Sequence, residues 1–247
     1  MEASKILIFA KISEITYEDP KTSKAKFKEY GYEIVKFFNK KGAQGYLLKG
    51  EDYVLSFRGT EVKQISDIIA DLKLHKVDEI NNEINHGKVH VGFKDELDKL
   101  WPSILKEIKN IDKLYVTGHS LGAAMATIAA SRIQDKVTSL VTFGSPRVGT
   151  SYFRKTLNVE HYRVQNNCDD VTKVPPYLFG FRHHGTHIYL NFYGNIRKLT
   201  TWQLIKDMIR SRIRARKKGE KFIGLYDHFM ANYIKKINLE IDSEKGK

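Results

Sequence analysis

The stretch Leu114-Tyr115-Val116-Thr117-Gly118-His119-Ser120-Leu121-Gly122-Ala123-Ala124 constrains this chain more than any other. A short run rich in β-branched and aromatic residues enters Gly-x-Ser-x-Gly, and an alanine-dense segment with helical propensity follows from Gly122 to Gln134. A strand that turns directly into a helix leaves no room for side chains at the bend, so glycines stand at 118 and 122. The serine between them is held up in a strained conformation. The helix also offers its positive N-terminal end to negative charge developing beside that serine. Ser120 is therefore the candidate nucleophile.

The surrounding pattern supplies a sheet for such a bend. Tyr53–Phe57, Leu114–Thr117 and Ser139–Phe143 read as short buried strands. Between them, Phe93–Ile108 carries Leu97, Leu100, Trp101 and Ile104-Leu105 at helical spacing. This alternation predicts an α/β fold with a mostly parallel central sheet flanked by helices. The first forty residues read as one or two helices, with Phe27, Tyr30, Ile34 and Phe37-Phe38 as their apolar positions, ending in the polar stretch Asn39 to Gly42. At 247 residues the chain is expected to be one domain, 1–247, with a frayed charged tail at 240–247. No segment approaches the roughly 18 consecutive apolar residues of a membrane span. The apolar run Ile6–Ala10 is shorter than the ~7–15 residues of an export signal's core. Together with a single cysteine, Cys168, which has no partner within the chain, this points to a cytoplasmic location, and the basic stretch described below adds peripheral membrane association to that expectation.

Beyond the Gly-x-Ser-x-Gly bend, four further stretches resemble the class 3 lipase family, the group of the filamentous-fungal triacylglycerol lipases, across roughly residues 45 to 235. Tyr53 to Thr60, followed by Asp67 to Leu72, resembles the family's F-R-G-[ST] strand end and D/N-W-x-x-D-L segment, with Ile68 in place of tryptophan. Val89-His90-Val91-Gly92-Phe93 resembles V-H-x-G-F, and Thr142 to Gly149 resembles T-F-G-x-P-R-V-G. Asp169 to Pro176 resembles D-x-V-P-x-L-P-P, with Thr172 in place of the first proline, and Phe179 to Gly185 resembles the family's next segment after those prolines. The resemblance implies the α/β-hydrolase fold and a serine ester hydrolase.

Such an enzyme needs a histidine to take the serine's proton and a carboxylate to orient that histidine, in the chain order Ser, Asp, His. Register against the family's two prolines places the acid at Asp169 rather than Asp170. Either aspartate could instead serve only the turn that Asn166 to Asp170 forms after the apolar run Tyr162–Val164. Of the nine histidines, His75 and His86 lie in polar surroundings, His119 precedes the serine, and His161 and His187 carry no signal. His90 and His183 resemble structural positions of the family. His228, in Asp227-His228-Phe229-Met230, resembles the family's D-H-x-x-Y base site, with His183 or His184 as alternatives. The oxyanion hole is expected from the backbone N–H of Leu121, with Thr60 as the second donor that the resemblance implies.

Two more features bear on substrate. After Thr60, Val62, Ile65, Ile68-Ile69 and Leu72 recur at helical spacing, which describes a short amphipathic helix, and the resemblance makes this segment a lid. From Lys206 to Lys221, eight Lys or Arg stand against two acids, nearly half of the chain's net charge of +13. Trp202, Ile205 and Ile209 lie at helical spacing at its upstream end. The combination reads as a surface for anionic phospholipids at a membrane or droplet. Nucleic acid is not expected, because no aromatics interleave the basic residues and no recognisable module is present. The residues imply no metal or organic cofactor. The expectation is a lipase cleaving acylglycerols or phospholipids, with a soluble-ester esterase or a non-catalytic membrane-docking protein as alternatives.

Overall fold

The structure, a computed structural model, describes residues 1–60, 75–81, 84–197, 199–217, 219 and 223–245. The segment expected to form a lid, with Val62, Ile65, Ile68 and Leu72, lies outside the described residues.

The chain opens with helices α1 (Ala3–Ile15) and α2 (Pro20–Glu29). The second is started by Asp19, whose carboxylate accepts from the N–H groups of Lys21 and Thr22, and by a proline at its first position. Strands β1 (Glu33–Lys40), β2 (Ala43–Lys49) and β3 (Tyr53–Phe57) follow. Helix was expected through Phe38, and that expectation is corrected. Gly31 takes a left-handed φ of 79° just after α2, and residues 33–40 instead pair antiparallel with β2 across a hairpin tip at Lys41-Gly42. The apolar spacing there mimics a helix, but pairing with the sheet decides the backbone.

Strands β4 (Lys76–Asn81) and β5 (Ile84–His90) lead into helix α3 (Val91–Glu107). Then come β6 (Leu114–His119), helix α4 (Leu121–Arg132), β7 (Val137–Phe143), β8 (Gly149–Thr150) and the short helix α5 (Ser151–Thr156). Strands β9 (His161–Asn166), β10 (Phe181–Arg182), β11 (Thr186–Leu190) and β12 (Ile196–Arg197) precede helices α6 (Thr201–Lys217), α7 (Ile223–Tyr226) and α8 (Met230–Lys245).

The main sheet runs β1-β2-β3-β6-β7-β9-β11-β12, with β3, β6, β7, β9 and β11 parallel and both edges closed by antiparallel pairs. The mostly parallel sheet expected from the sequence is therefore present. Alternate strand residues divide between its faces. Leu47, Leu55, Leu114, Val116 and Leu140 pack with α3 and α4, while Tyr46, Leu48, Val54, Val141 and Val164 pack with α1 and α8. A small antiparallel sheet, β10-β8-β5-β4, sits beside it. It is tied to the C-terminal end of α4 by Arg132, whose guanidinium makes a two-pronged contact with the fully buried Glu79 at 2.6 and 3.0 Å.

Of the tail at 240–247, the structure describes the residues up to Lys245. Helix α8 continues to Lys245, and Glu240 is buried, accepting from the Asn195 side chain and the Ile196 N–H. A charged composition hid an inward-facing carboxylate with two partners of its own.

Candidate active site

The site lies outside the carboxyl ends of the parallel strands, where α/β sheets commonly bind ligands. Register sets its floor: Phe57 pairs with Gly118, His119 with Phe143, and Phe143 with Val164. Ser120, between β6 and α4, has φ 59° and ψ −126°, a region that ordinary residues avoid. Packing at the bend enforces it. A methyl group added at Gly122 would stand 2.2 Å from the Phe57 carbonyl oxygen, and one at Gly118 would stand 2.5 Å from the Gly122 carbonyl. The Ser120 N–H donates to the Phe143 carbonyl at 3.0 Å, anchoring the bend to the next strand.

His228 follows the short helix α7 and is fully buried, with its Nδ1–H donating to Asp169 Oδ2 at 2.8 Å. Its other nitrogen, Nε2, is buried and has no hydrogen-bond partner among the described residues, Ser120 Oγ included. Asp169 sits in the loop after β9, also fully buried. Its Oδ1 accepts from the Val171 N–H at 2.9 Å, and its Oδ2 also accepts from the Tyr233 hydroxyl at 2.5 Å. Asp169 thus closes its own turn and engages the histidine. Asp170 points away, bridging Lys173 and Arg212. Thr172 fills the proline's place by donating its hydroxyl to the Asp169 carbonyl at 2.8 Å, which keeps the turn closed.

Neither alternative histidine is paired with the acid. His183 donates from Nε2 to the Thr172 carbonyl, and His184 meets His161 through their Nδ1 atoms at 3.0 Å. Burial pushes the imidazoles of His161, His183 and His184 down from their ordinary value, so these rings stay neutral. His187 bonds the Gln165 side chain.

Thr60 follows Gly59 at the end of β3. Gly59 is pressed against the nucleophile, since a methyl group there would lie 3.2 Å from Ser120 Cβ and 2.5 Å from the His119 carbonyl oxygen. This sets Gly59, the residue before Thr60, against the bend. Leu121 is the first residue of α4, and the Ser120 side chain makes no capping bond to that helix, whose Ala123 N–H donates instead to the Ser120 carbonyl at 3.0 Å.

Three contributors escaped the sequence reading. His119 donates from Nε2 to the His228 carbonyl at 2.8 Å, so its Nδ1 must accept from the Tyr17 hydroxyl, also at 2.8 Å. Burial holds this imidazole well below its usual value, keeping it neutral beside His228. Tyr233 is the second. The tyrosine of the D-H-x-x-Y pattern would stand at 231, which is alanine here, and the ring reaching the acid comes from two residues later. Asp227 is the third. Its carboxylate accepts from Asn167 Nδ2 and the Cys168 N–H, joining the segment of His228 to the loop of Asp169. Among the described residues, no group of three or more His, Cys, Asp or Glu could hold a metal ion.

A parallel sheet with a strained serine between strand and helix, and an Asp–His pair at its carboxyl edge, defines the α/β-hydrolase class. The fold agrees with solved structures. The native propeptide complex of Rhizomucor miehei lipase superposes with a TM-score of 0.65 at 25% identity, over 76% of this chain and 68% of that one. The lipase from Rhizopus microsporus var. chinensis gives 0.66 at 24% identity, over 76% and 74%. The sequence profile of the class 3 lipases matches residues 54–179, and the chain belongs to that family.

Curated relatives include secreted mono- and diacylglycerol lipase 1 of Fusarium solani, 35% identical over 114 residues, and a lipase of Rhizopus niveus, 30% identical over 167 residues. These alignments cover 42% and 59% of this chain but only 34% and 41% of the relatives, so the chain spans less than half their length. The expected cytoplasmic location is corrected by these names. Relatives from Fusarium solani, Malassezia restricta and Malassezia globosa are called secreted, which overturns that expectation. The cysteine argument fails physically because Cys168 is buried and burial pushes its thiol up to about 11. An inert thiol of that kind reports on neither redox compartment.

Proposed function

We propose that this protein is a serine lipase that hydrolyses carboxylic esters of acylglycerols through an acyl-enzyme. The observation that carries the reading is the state of His228: one nitrogen is held by a buried carboxylate, the other is buried without a hydrogen-bond partner among the described residues, and its ring lies 4.4 Å from that of His119, the residue before the strained serine. In this reading His228 Nε2 takes the Ser120 proton as Oγ attacks the ester carbonyl, and Asp169 fixes the tautomer and stabilises the imidazolium. The oxyanion is received by the N–H of Leu121 and by Thr60. Collapse of the tetrahedral intermediate expels the alcohol, which takes the proton from Nε2, and water then releases the fatty acid by the reverse sequence. The Asp227 and His119 contacts hold the acid loop and the His228 backbone in register.

Phospholipids are a further substrate class in this reading, with the basic stretch Lys206–Lys221 favouring anionic lipid surfaces. The relatives named as mono- and diacylglycerol lipases support glycerides as the first substrates to test. The test is fatty-acid release from diacylglycerol emulsions, neutral and anionic phospholipid vesicles, and a short soluble ester, comparing wild type with Ser120→Ala. Release by wild type alone from the lipid aggregates supports the reading. Release from the soluble ester only makes the protein an esterase, and no turnover of any substrate rejects the enzyme.

A further inference from the structure

Helix α6 is amphipathic in the inverted sense. Its inner face carries Asp207, Ser211 and Ala215 beside the half-buried Leu204 and Met208, and is bonded to the loop of Asp169 and to β11. Ser211 is fully buried and donates to Asn167 Oδ1 at 2.9 Å, the Met208 carbonyl accepts from the Cys168 thiol, and Asp207 accepts from the Tyr189 hydroxyl at 2.9 Å. Ala215 is buried on the same side. The outer face carries the large apolar side chains: Trp202 is 62% exposed, Ile205 38%, Ile209 52% and Ile213 49%. At 100° per residue these four fall within one arc of about 80°. The inner bonds fix the rotation of the helix, so this stripe cannot turn inward to bury itself.

Cations border the stripe on both sides. Lys206, Arg210 and Lys217 lie along one margin and Arg212 along the other, while Arg216 falls within the arc one turn beyond Ile213 and Arg214 turns away onto the Phe192 and Tyr193 rings. Lys206 stands over the Trp202 ring at 5.1 Å, while Arg212 is drawn to Asp170. An apolar ridge between two cationic margins fits a surface that is apolar inside and anionic at its boundary.

We propose that α6 is an interfacial docking helix that lies in the plane of an anionic lipid surface, with Trp202, Ile205, Ile209 and Ile213 inserted among the acyl chains. This rests on the lipid-surface part of the proposed function and adds to it a defined element, orientation and insertion mode. Because the helix sits directly on the loop carrying Asp169, docking through it holds the catalytic edge of the molecule at the lipid boundary.

The chain's two tryptophans make the test direct. Trp101 is buried and Trp202 exposed, so a change in emission on adding vesicles reports Trp202, with Trp202→Phe as the control. Ser120→Ala is titrated with phosphatidylglycerol–phosphatidylcholine vesicles and with phosphatidylcholine alone, including brominated acyl chains as quenchers. A blue shift and bromolipid quenching are expected on the anionic vesicles, with partitioning that weakens at about 0.5 M salt. In the otherwise wild-type chain, Ile209→Ser/Ile213→Ser should weaken partitioning at least about tenfold while leaving soluble-ester turnover intact.

Vesicle binding without a Trp202 response, or with unchanged partitioning in the double variant, overturns the proposal. So does a blue shift that appears without vesicles alongside a doubled mass, which would place a second copy on the stripe. Docking with no ester hydrolysis by the wild type rejects the lipase reading alone, and hydrolysis without docking rejects this proposal alone.

Discussion

His228 and Asp169 are 59 residues apart in sequence, yet each was legible because its neighbours form a short local motif. If Asp169 fixes the tautomer of His228, Asp169→Asn should keep the fold and lower kcat about 10⁴-fold, which single-turnover assays on a soluble ester would measure. The clasp around the pair was not legible. His119 reaches Tyr17 across 102 residues and the His228 backbone across 109, and no local pattern encodes partners that only the closed fold brings together. Tyr233 was obscured for another reason, since it stands two positions beyond the place where the motif carries its tyrosine. Asp227 adds a pH dependence. Burial lifts its carboxyl from the ordinary range to about 6. A folded value above the unfolded one means that the fold favours the protonated form. That contribution is whole below the unfolded value near 4, is lost as pH rises through about 6, and is of the order of 3 kcal/mol. Asp227→Asn removes this titration while keeping an oxygen acceptor for Asn167 and Cys168. The Tm of the variant relative to wild type should therefore rise between about pH 4 and pH 6.5 by several degrees and stay level above that. A difference that stays flat with pH would reject the assignment.

At the level of elements, the strand–bend–helix unit was read correctly because its demands are steric and local: Gly118 and Gly122 face backbone atoms that no side chain could approach. Strand β1 was misread because Phe37 and Phe38 continue the apolar spacing of α2, and only the pairing with β2, absent from any local window, makes that segment extended. The link between α4 and the small sheet was equally invisible, because Glu79 lies 53 residues from Arg132 and looks like any surface carboxylate in sequence. Arg132→Ala should leave the Glu79 carboxylate buried without its two-pronged partner and cost about 3–5 kcal/mol, measured by urea denaturation. Arg132→Ala combined with Glu79→Gln should recover part of that loss, because the uncompensated charge is then gone. A loss below about 1 kcal/mol in the single variant would mean that the pair is solvated and peripheral. Helix α6 shows the limit of reading amphipathicity from sequence. The apolar arc was visible, but only the buried contacts of Ser211 and Asp207 show that it faces out.

Across the whole molecule, alternating strand residues feed two apolar layers, and the loops at the carboxyl ends of the strands converge on one edge. This architecture was legible because a mostly parallel sheet requires both faces to be covered, which imposes the alternation of strand and helix on the sequence. Location was not legible, because a lone buried thiol and a short apolar run carry no compartment signal, and relatives named as secreted corrected it. The central claim is that Ser120 is an activated nucleophile driven by His228 and Asp169. It is tested most directly by treating the protein with a fluorophosphonate and locating the adduct by intact-mass and peptide mass spectrometry. The account predicts one stoichiometric adduct on Ser120, absent in Ser120→Ala and formed at least about 10³-fold more slowly in His228→Ala. An unlabelled wild type, or labelling of Ser120 at the same rate without His228, would contradict it.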